Sequence, residues 1–111
     1  MKRPWMPLYV GDYLAKTTHL TTFQHGAYLL LILHYWANGR LPTTDSELMA
    51  IVRMTQPEWA ANRYVLASFF DEHWRHSRID EELAKVRKIS EKRALAGLKG
   101  AWSKHGNLRI V

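Results

Sequence analysis

This 111-residue chain contains no cysteine, so histidines and carboxylates are its main candidates for catalysis or metal binding. His25 and His34 lie in an apolar segment, where we interpret them as hydrogen-bonded core residues. His73 and His76 are three residues apart, but no third metal ligand accompanies them. The acidic residues cluster at predicted helix ends, and neither standard glycine-rich phosphate loop occurs. The sequence therefore predicts a non-enzymatic protein without a metal site or cofactor.

Any binding surface must be positioned around one apolar helix, which we predict over residues 22–38. Thr21 and Gln24 have the spacing of a capping box at its start, and Gly39 suits a left-handed helix end. Residues 27–33 are apolar without interruption, so the helix must be enclosed by other elements. Polar residues interrupt the segment too often for it to span a bilayer. We expect the central helix of a small cytoplasmic domain that makes no membrane contact.

Two shorter helices are predicted next, forming a helix-turn-helix over residues 45–70. The first is expected to begin after Thr44, with Glu47 completing a second capping box. The next is expected to begin after Thr55, with Glu58 completing a third. About three residues separate the two helices, which is typical of a helix-turn-helix motif.

Three polar side chains are expected on the outer face of the later of these helices: Gln56, Asn62 and Arg63. In a helix-turn-helix protein this helix enters the major groove of DNA. Glutamine and asparagine can read adenine, while arginine can bind guanine or a phosphate. These side chains are the candidates for base readout. An ordinary solvated face explains them as well, so both interpretations remain open.

A minimal wing and a long basic helix are expected to complete the domain. Residues 73–79 contain aromatic and β-branched residues and are predicted to form a short strand that pairs with the arm around residues 8–10. A helix is predicted from Asp80 to about Ala96, which closes a winged-helix-like domain of residues 1–96. We expect residues 97–111 to form a basic, flexible tail.

All of the excess positive charge lies in the last quarter of the chain. The net charge is +6, yet residues 1–84 hold 8 Lys+Arg against 9 Asp+Glu. Residues 85–111 hold 8 Lys+Arg against the single Glu91. Such a segment attracts nucleic-acid phosphates or an acidic partner, unless it is a solvated tail without a fixed partner. The candidates for phosphate contact are Arg75, Arg78, Lys85, Lys88, Lys92, Arg93 and Lys99.

Four aromatic residues suggest a second kind of surface: Trp5, Tyr9, Tyr35 and Trp36. If they are exposed together, they predict a site for a homodimer or for a phage or host protein. This alternative makes the chain a protein-interaction module that does not bind DNA.

Several short motifs occur in a fixed order along the chain. They are Pro-Leu-Tyr at 7–9, Gly-Asp-Tyr-Leu at 11–14, His-Gly-Ala-Tyr-Leu-Leu-Leu at 25–31, His-Tyr-Trp at 34–36, Leu-Pro at 41–42, Arg-Ile-Asp-Glu-Glu-Leu-Ala at 78–84 and Ser-Glu-Lys-Arg at 90–93. In these motifs the chain resembles the YdaU-type family of mostly uncharacterised prophage proteins. The resemblance implies similarity to the winged-helix amino-terminal domain of phage replication-initiation and primosome proteins. It further implies DNA as the ligand and a replicative helicase or its loader as a partner.

We therefore expect a mainly α domain of winged-helix type that binds double-stranded DNA without catalysis, in phage or prophage replication. A phage transcriptional regulator with the same fold is an alternative. It would be distinguished by dimerisation and by a palindromic site with half-sites about one helical turn apart.

Overall fold

The computed structural model describes residues 3–104, with side chains as far as residue 98. Over this range the chain forms five α-helices and no β-strand, so the mainly helical class is confirmed. The helices are α1 (Val10–Lys16), α2 (Thr22–Asn38), α3 (Asp45–Val52), α4 (Gln56–Ala67) and α5 (Ser77–Lys104). None of the described helices is long and apolar enough to cross a membrane. The chain divides after Asp80 into a first unit, which includes α1 to α4 and the first turn of α5, and a second unit, which includes the rest of α5.

Helix α2 begins and ends at the residues that the sequence predicted. The Thr21 hydroxyl accepts a hydrogen bond from the Gln24 amide at 3.1 Å, and the Thr21 amide donates to Gln24 Oε1 at 3.0 Å. At the other end Gly39 has a φ of 87°, and its amide donates to the Tyr35 carbonyl at 2.7 Å. The capping box and the left-handed glycine satisfy backbone groups that a helix end leaves without partners.

The core of the first unit lies where α2 packs against α3 and α4. The largest fully buried side chains are Leu31 and Tyr35 of α2, Leu48 of α3 and Leu66 of α4. Each buried apolar side chain of this size contributes about 1.5–3 kcal/mol relative to an exposed one. The apolar run of α2 is therefore a core element, as its composition predicted.

Helices α3 and α4 occupy the predicted positions and are joined by a short turn in which Arg53 has a φ of 60°. The capping box at α4 is present, with the Thr55 amide donating to Glu58 Oε1 at 2.8 Å. The predicted capping box at α3 is wrong. The Thr44 hydroxyl donates to the Glu47 carboxylate and accepts no backbone amide of the helix.

The predicted β-wing is not present in the described residues, because residues 71–75 form a tight loop. One carboxylate oxygen of Asp71 accepts from the amides of His73 and Arg75 at 2.8 and 2.9 Å. The Asp71 amide in turn donates to the Arg75 carbonyl at 2.9 Å, and Trp74 has a φ of 58°. The strand predicted over 73–79 is therefore wrong, since the backbone groups that a strand would offer to a partner are used inside the loop.

Helix α5 is longer than predicted at both ends. It begins at Ser77 and continues to Lys104, so that residues 97–104 are helical. A glycine costs about 1 kcal/mol relative to alanine inside a helix. Good helix formers, alanine and leucine, flank Gly97 and offset that cost. Residues 105–111 lie outside the described residues.

Candidate nucleic-acid interface

Of the three candidates for base readout, Gln56 and Asn62 have different surroundings. Gln56 is exposed in the first turn of α4, and its side chain makes no hydrogen bond to another described residue. Asn62 is half-buried and has two partners. Its Oδ1 accepts from Gln24 Nε2 at 2.9 Å, and its Nδ2 donates to the Glu58 carbonyl at 2.9 Å. Asn62 therefore ties α4 to the first turn of α2.

The third candidate, Arg63, lies against α3 and the 71–75 loop. Its Nε donates to Asp45 Oδ1 at 2.7 Å, and its guanidinium carbon lies 5.5 Å from the ring centre of Trp74. Asp45 Oδ1 also accepts from Trp59 Nε1 at 3.1 Å. The hydrogen bond from Arg63, followed by that from Trp59, holds the pKa of Asp45 below its usual value. The charge of Arg63 is thus balanced by a neighbouring carboxylate.

Arg75 and Arg78, predicted to lie on the wing, lie instead in the loop and in the first turn of α5, each beside an aspartate. Arg75 Nη2 donates to Asp80 Oδ2 at 3.1 Å, and Arg78 Nη1 lies 2.7 Å from Asp12 Oδ2. The Arg78 guanidinium also covers the ring of Tyr9, at 4.6 Å from its centre. Both arginines therefore hold segments of the first unit together.

The first turn of α5 is joined to α2 through the buried hydroxyl of Tyr35. This hydroxyl donates to Asp80 Oδ1 at 2.6 Å and accepts from the His76 amide at 3.1 Å. Burial, and then the hydrogen bond to Asp80, raise the pKa of Tyr35 to about 12. Burial also lowers the pKa of the His76 imidazole.

The basic residues of the second unit are exposed along α5. Lys85 Nζ lies 3.1 Å from Glu82 Oε2, whereas Lys88, Lys92 and Arg93 form no ion pair with another described side chain. At 100° per residue, Lys85, Lys88 and Lys92 fall within about 60° of one another around the helix axis. They therefore form one side, which we call the lysine face. The side chain of Lys99 lies outside the described residues.

The four aromatic residues predicted to form an interaction surface do not lie on one surface. Trp5 and Tyr9 are 70% and 47% exposed, but Tyr35 and Trp36 are only 0% and 4% exposed. The prediction is wrong for Tyr35 and Trp36, because polar partners allow both rings to be buried. Trp36 Nε1 donates to the Trp5 carbonyl at 2.8 Å, while Tyr35 donates to Asp80.

An open groove of about 610 Å³ in the first unit contains residues that the sequence did not indicate. It is lined by His34, Asn38, Arg40, Leu41, Pro42, Thr43, Glu47, His73 and Arg75. These residues come from the end of α2, the connection to α3, α3 itself and the 71–75 loop. Only Arg75 was a candidate, because segments about 30 residues apart give no local pattern. Over the part of the chain that the structure describes, no three His, Asp or Glu side chains form a possible metal site.

Sequence comparison identifies the family to which this chain belongs. A family model described as "Protein of unknown function (DUF1376)" matches residues 4–84, and the chain belongs to this family. It is 45% identical over 97 residues to the uncharacterized protein YdaU of Escherichia coli strain K12. The alignment covers 85% of this chain but 34% of YdaU, so the chain spans about a third of its relative's length. The predicted resemblance to a YdaU-type family is confirmed, and no solved structure matches the chain.

Proposed function

We propose that this chain is a non-catalytic protein that binds double-stranded DNA, and that the lysine face of α5 contacts the phosphate backbone. The observation that carries the proposal is the unbalanced charge of residues 85–111, which lie within the second unit. Residues 85–111 hold 8 Lys+Arg against one acidic residue, and Lys88 and Lys92 are exposed without an acidic partner among the described side chains. Each lysine that neutralises a phosphate releases condensed counterions, which favours binding at low salt.

The arginines of the first unit are poorer candidates for phosphate contact. Arg63, Arg75 and Arg78 each lie within 3.1 Å of an aspartate oxygen. A phosphate would have to compete with a carboxylate that is already in place. We therefore assign contact with the DNA backbone to α5, and we expect these three aspartate pairs to contribute mainly to the stability of the first unit.

A second part of the proposal is that α4, the later helix of the pair α3 and α4, enters the major groove. Recognition helices read base edges with residues near their amino terminus. Gln56 lies there and is exposed, whereas Asn62 and Arg63 would have to give up hydrogen bonds worth about 0.5–1.5 kcal/mol each, or more for a charged group. We assign any sequence preference to Gln56, and we expect backbone contact to supply most of the affinity.

We place this binding in phage or prophage replication, in the cytoplasm, with a replicative helicase or its loader as partner. This part of the proposal rests on the resemblance to phage replication-initiation proteins alone. A phage transcriptional regulator would use the same contacts on a different DNA. It is the better description if the protein is a stable dimer on a palindromic site.

The experiment that tests the proposal measures the affinity of the full chain for duplex and single-stranded DNA over a range of salt concentrations. Lys88→Glu and Lys92→Glu should each weaken binding to every sequence and lower the salt slope by about 1. Lys16→Glu, the same charge change on exposed α1, should leave the slope unchanged. Failure of the unaltered chain to bind either DNA at about 50 mM salt would contradict the proposal.

A second candidate function, a protein-interaction module, is favoured by a specific observation at the amino-terminal arm and α1. Five apolar or aromatic side chains there are at least 44% exposed: Trp5, Leu8, Tyr9, Val10 and Leu14. Clusters of exposed apolar side chains are common at protein–protein contacts. Trp5→Ala with Val10→Ser should abolish a homodimer formed through this patch, as measured by light scattering, and should leave the salt slope of DNA binding unchanged.

A further inference from the structure

We propose that the groove between the end of α2, the start of α3 and the 71–75 loop binds an oxyanion of the phosphate type. The groove residues capable of donating a hydrogen bond to an anion outnumber the single carboxylate, Glu47. They include two arginines, Arg40 and Arg75, and two histidines, His34 and His73. This site shares no residue with the lysine face and does not depend on the proposed DNA binding.

Arg75 contributes a guanidinium that is already oriented. Its Nη2 donates to Asp80 Oδ2 at 3.1 Å, and its guanidinium carbon lies 5.8 Å from the ring centre of Tyr35. The contact with Asp80 uses one of the five N–H donors of the group. Because Asp80 and Tyr35 hold the planar group, binding an anion costs less side-chain entropy than it would with an unrestrained arginine.

Arg40 contributes the positive charge that has no acidic partner. It follows Gly39, whose left-handed backbone ends α2 and turns the chain towards the groove. Arg40 is exposed, and its side chain forms no hydrogen bond or ion pair with another described residue. A guanidinium in this state can bind a phosphate through two parallel N–H donors.

Glu47 opposes the anion and limits its affinity. Its carboxylate accepts the hydroxyl proton of Thr44, so it carries a hydrogen bond but retains its negative charge. Asp80, which accepts from Arg75 Nη2 at 3.1 Å, and Glu47 together balance the formal charges of the two arginines, so the affinity for an anion must come from the arrangement of the N–H donors. We therefore expect the groove to bind an oxyanion weakly and to select it by the positions of its oxygen atoms.

The test is an NMR titration of the full chain with inorganic phosphate, in which sodium chloride is exchanged for sodium phosphate at constant ionic strength. Backbone amide signals of Arg40, Leu41, Thr43 and residues 73–75 should shift and saturate together. Arg40→Ala should weaken phosphate binding about tenfold, which is the expected loss for one charged hydrogen-bonding group. Glu47→Gln should strengthen it severalfold, because the opposing charge is removed.

Lys16→Ala is the matched control, since it removes one exposed positive charge from the same unit without touching the groove. It should leave the saturation curve unchanged. Shifts that rise linearly without saturation would overturn the proposal. So would equal weakening by Lys16→Ala and Arg40→Ala, because diffuse attraction to the protein's charge would then explain the result.

A second arm identifies the source of the phosphate by measuring duplex DNA affinity for Arg40→Ala. Tenfold weaker DNA binding, together with weaker phosphate binding, would assign the groove to a backbone phosphate. Unchanged DNA binding with weaker phosphate binding would assign it to free phosphate or a small phosphate ester. A chain that binds phosphate saturably but no DNA would overturn the proposed DNA binding and leave the oxyanion site in place.

Discussion

The two units of the chain differ in how their charges are used. In the first unit, three arginines that the sequence predicted to contact DNA are each paired with an aspartate: Arg63 with Asp45, Arg75 with Asp80 and Arg78 with Asp12. In the second unit, Lys88 and Lys92 have no acidic partner among the described residues. Basic side chains therefore contribute to structure at these three positions of the first unit, whereas Lys88 and Lys92 of the second unit are available for binding.

This difference shows why residue type alone is a poor guide to phosphate-binding side chains. Whether a basic side chain has an acidic neighbour must also be known. Arginine and asparagine on a recognition helix suggest base readout, yet Arg63 and Asn62 are engaged inside the first unit. The family match ends at residue 84, so it covers the paired region and none of the lysine face. Binding through α5 is accordingly a proposal about this chain, and we do not extend it to the family.

The largest expected effect is a difference in unfolding free energy between a substitution in the packed first unit and one at the exposed end of α5. Leu31→Ala should lower the free energy of unfolding by about 2–5 kcal/mol, because Leu31 is 0% exposed and its removal leaves a cavity. Leu95→Ala, in a residue that is 66% exposed, should change it by less than about 0.5 kcal/mol. Urea denaturation followed by circular dichroism measures both. Similar losses in the two variants would break the distinction between the units.

A smaller effect is expected at the hydrogen bonds that anchor the first turn of α5. Tyr35→Phe removes the donor to Asp80 and the acceptor of the His76 amide, which leaves a part-buried amide without its partner. We expect a loss of about 1–3 kcal/mol in unfolding free energy. Tyr64→Phe is the control, because Tyr64 is 74% exposed. If both variants unfold at the same urea concentration as the unaltered chain, the anchor does not stabilise the first unit.

The parts of the fold that could be predicted from the sequence are those with local signals. Helix α2 is defined by an apolar run, a capping pair at Thr21 and Gln24 and a terminal glycine, all within 19 residues. Helix α4 has the same kind of capping pair at Thr55 and Glu58. Such signals depend only on nearby backbone groups, so they can be recognised in the sequence without knowing the tertiary structure.

The parts that could not be predicted depend on contacts between distant segments. The sequence suggests that Trp36 is exposed. Its burial is explained only by its hydrogen-bond acceptor, the Trp5 carbonyl, which lies 31 residues away in the chain. The 71–75 loop depends on one side chain, since Asp71 accepts two amides that a strand would have offered to a neighbour. The groove escaped prediction for the same reason, because its lining comes from separate segments.

A third prediction sharpens the comparison within α4, where Gln56 and Asn62 are both amides. Asn62→Ala should lower the unfolding free energy by about 1 kcal/mol, because its contacts with Gln24 and the Glu58 carbonyl are lost. Gln56→Ala should leave stability within about 0.5 kcal/mol, since Gln56 is exposed. In the proposed complex only Gln56→Ala should alter the preference among duplex sequences, as measured by competition binding. A changed preference among duplex sequences in Asn62→Ala would indicate that Asn62 contacts the DNA bases.

The smallest expected effect concerns the charge of Asp45, the partner of Arg63. Asp45→Asn keeps an acceptor for Arg63 and Trp59 but removes the negative charge, and the pair is exposed, so the loss at neutral pH should be about 0.2–1 kcal/mol. The folded-state pKa of Asp45 lies below its unfolded value, chiefly because of the hydrogen bond from Arg63. The stabilisation is therefore present above the unfolded pKa of about 4 and is lost as the pH falls through the folded pKa.

Unfolding free energies of the unaltered chain and of Asp45→Asn, measured from neutral to acidic pH, should accordingly converge at low pH. The difference at neutral pH should also shrink as salt is added, because the screening length falls to about 3 Å at 1 M. A difference that is independent of both pH and salt would mean that the geometry of the amide, and not the charge of Asp45, accounts for the effect. Arg63 would then be held mainly by the geometry of its hydrogen bond and by its contact with the Trp74 ring, and not by charge attraction.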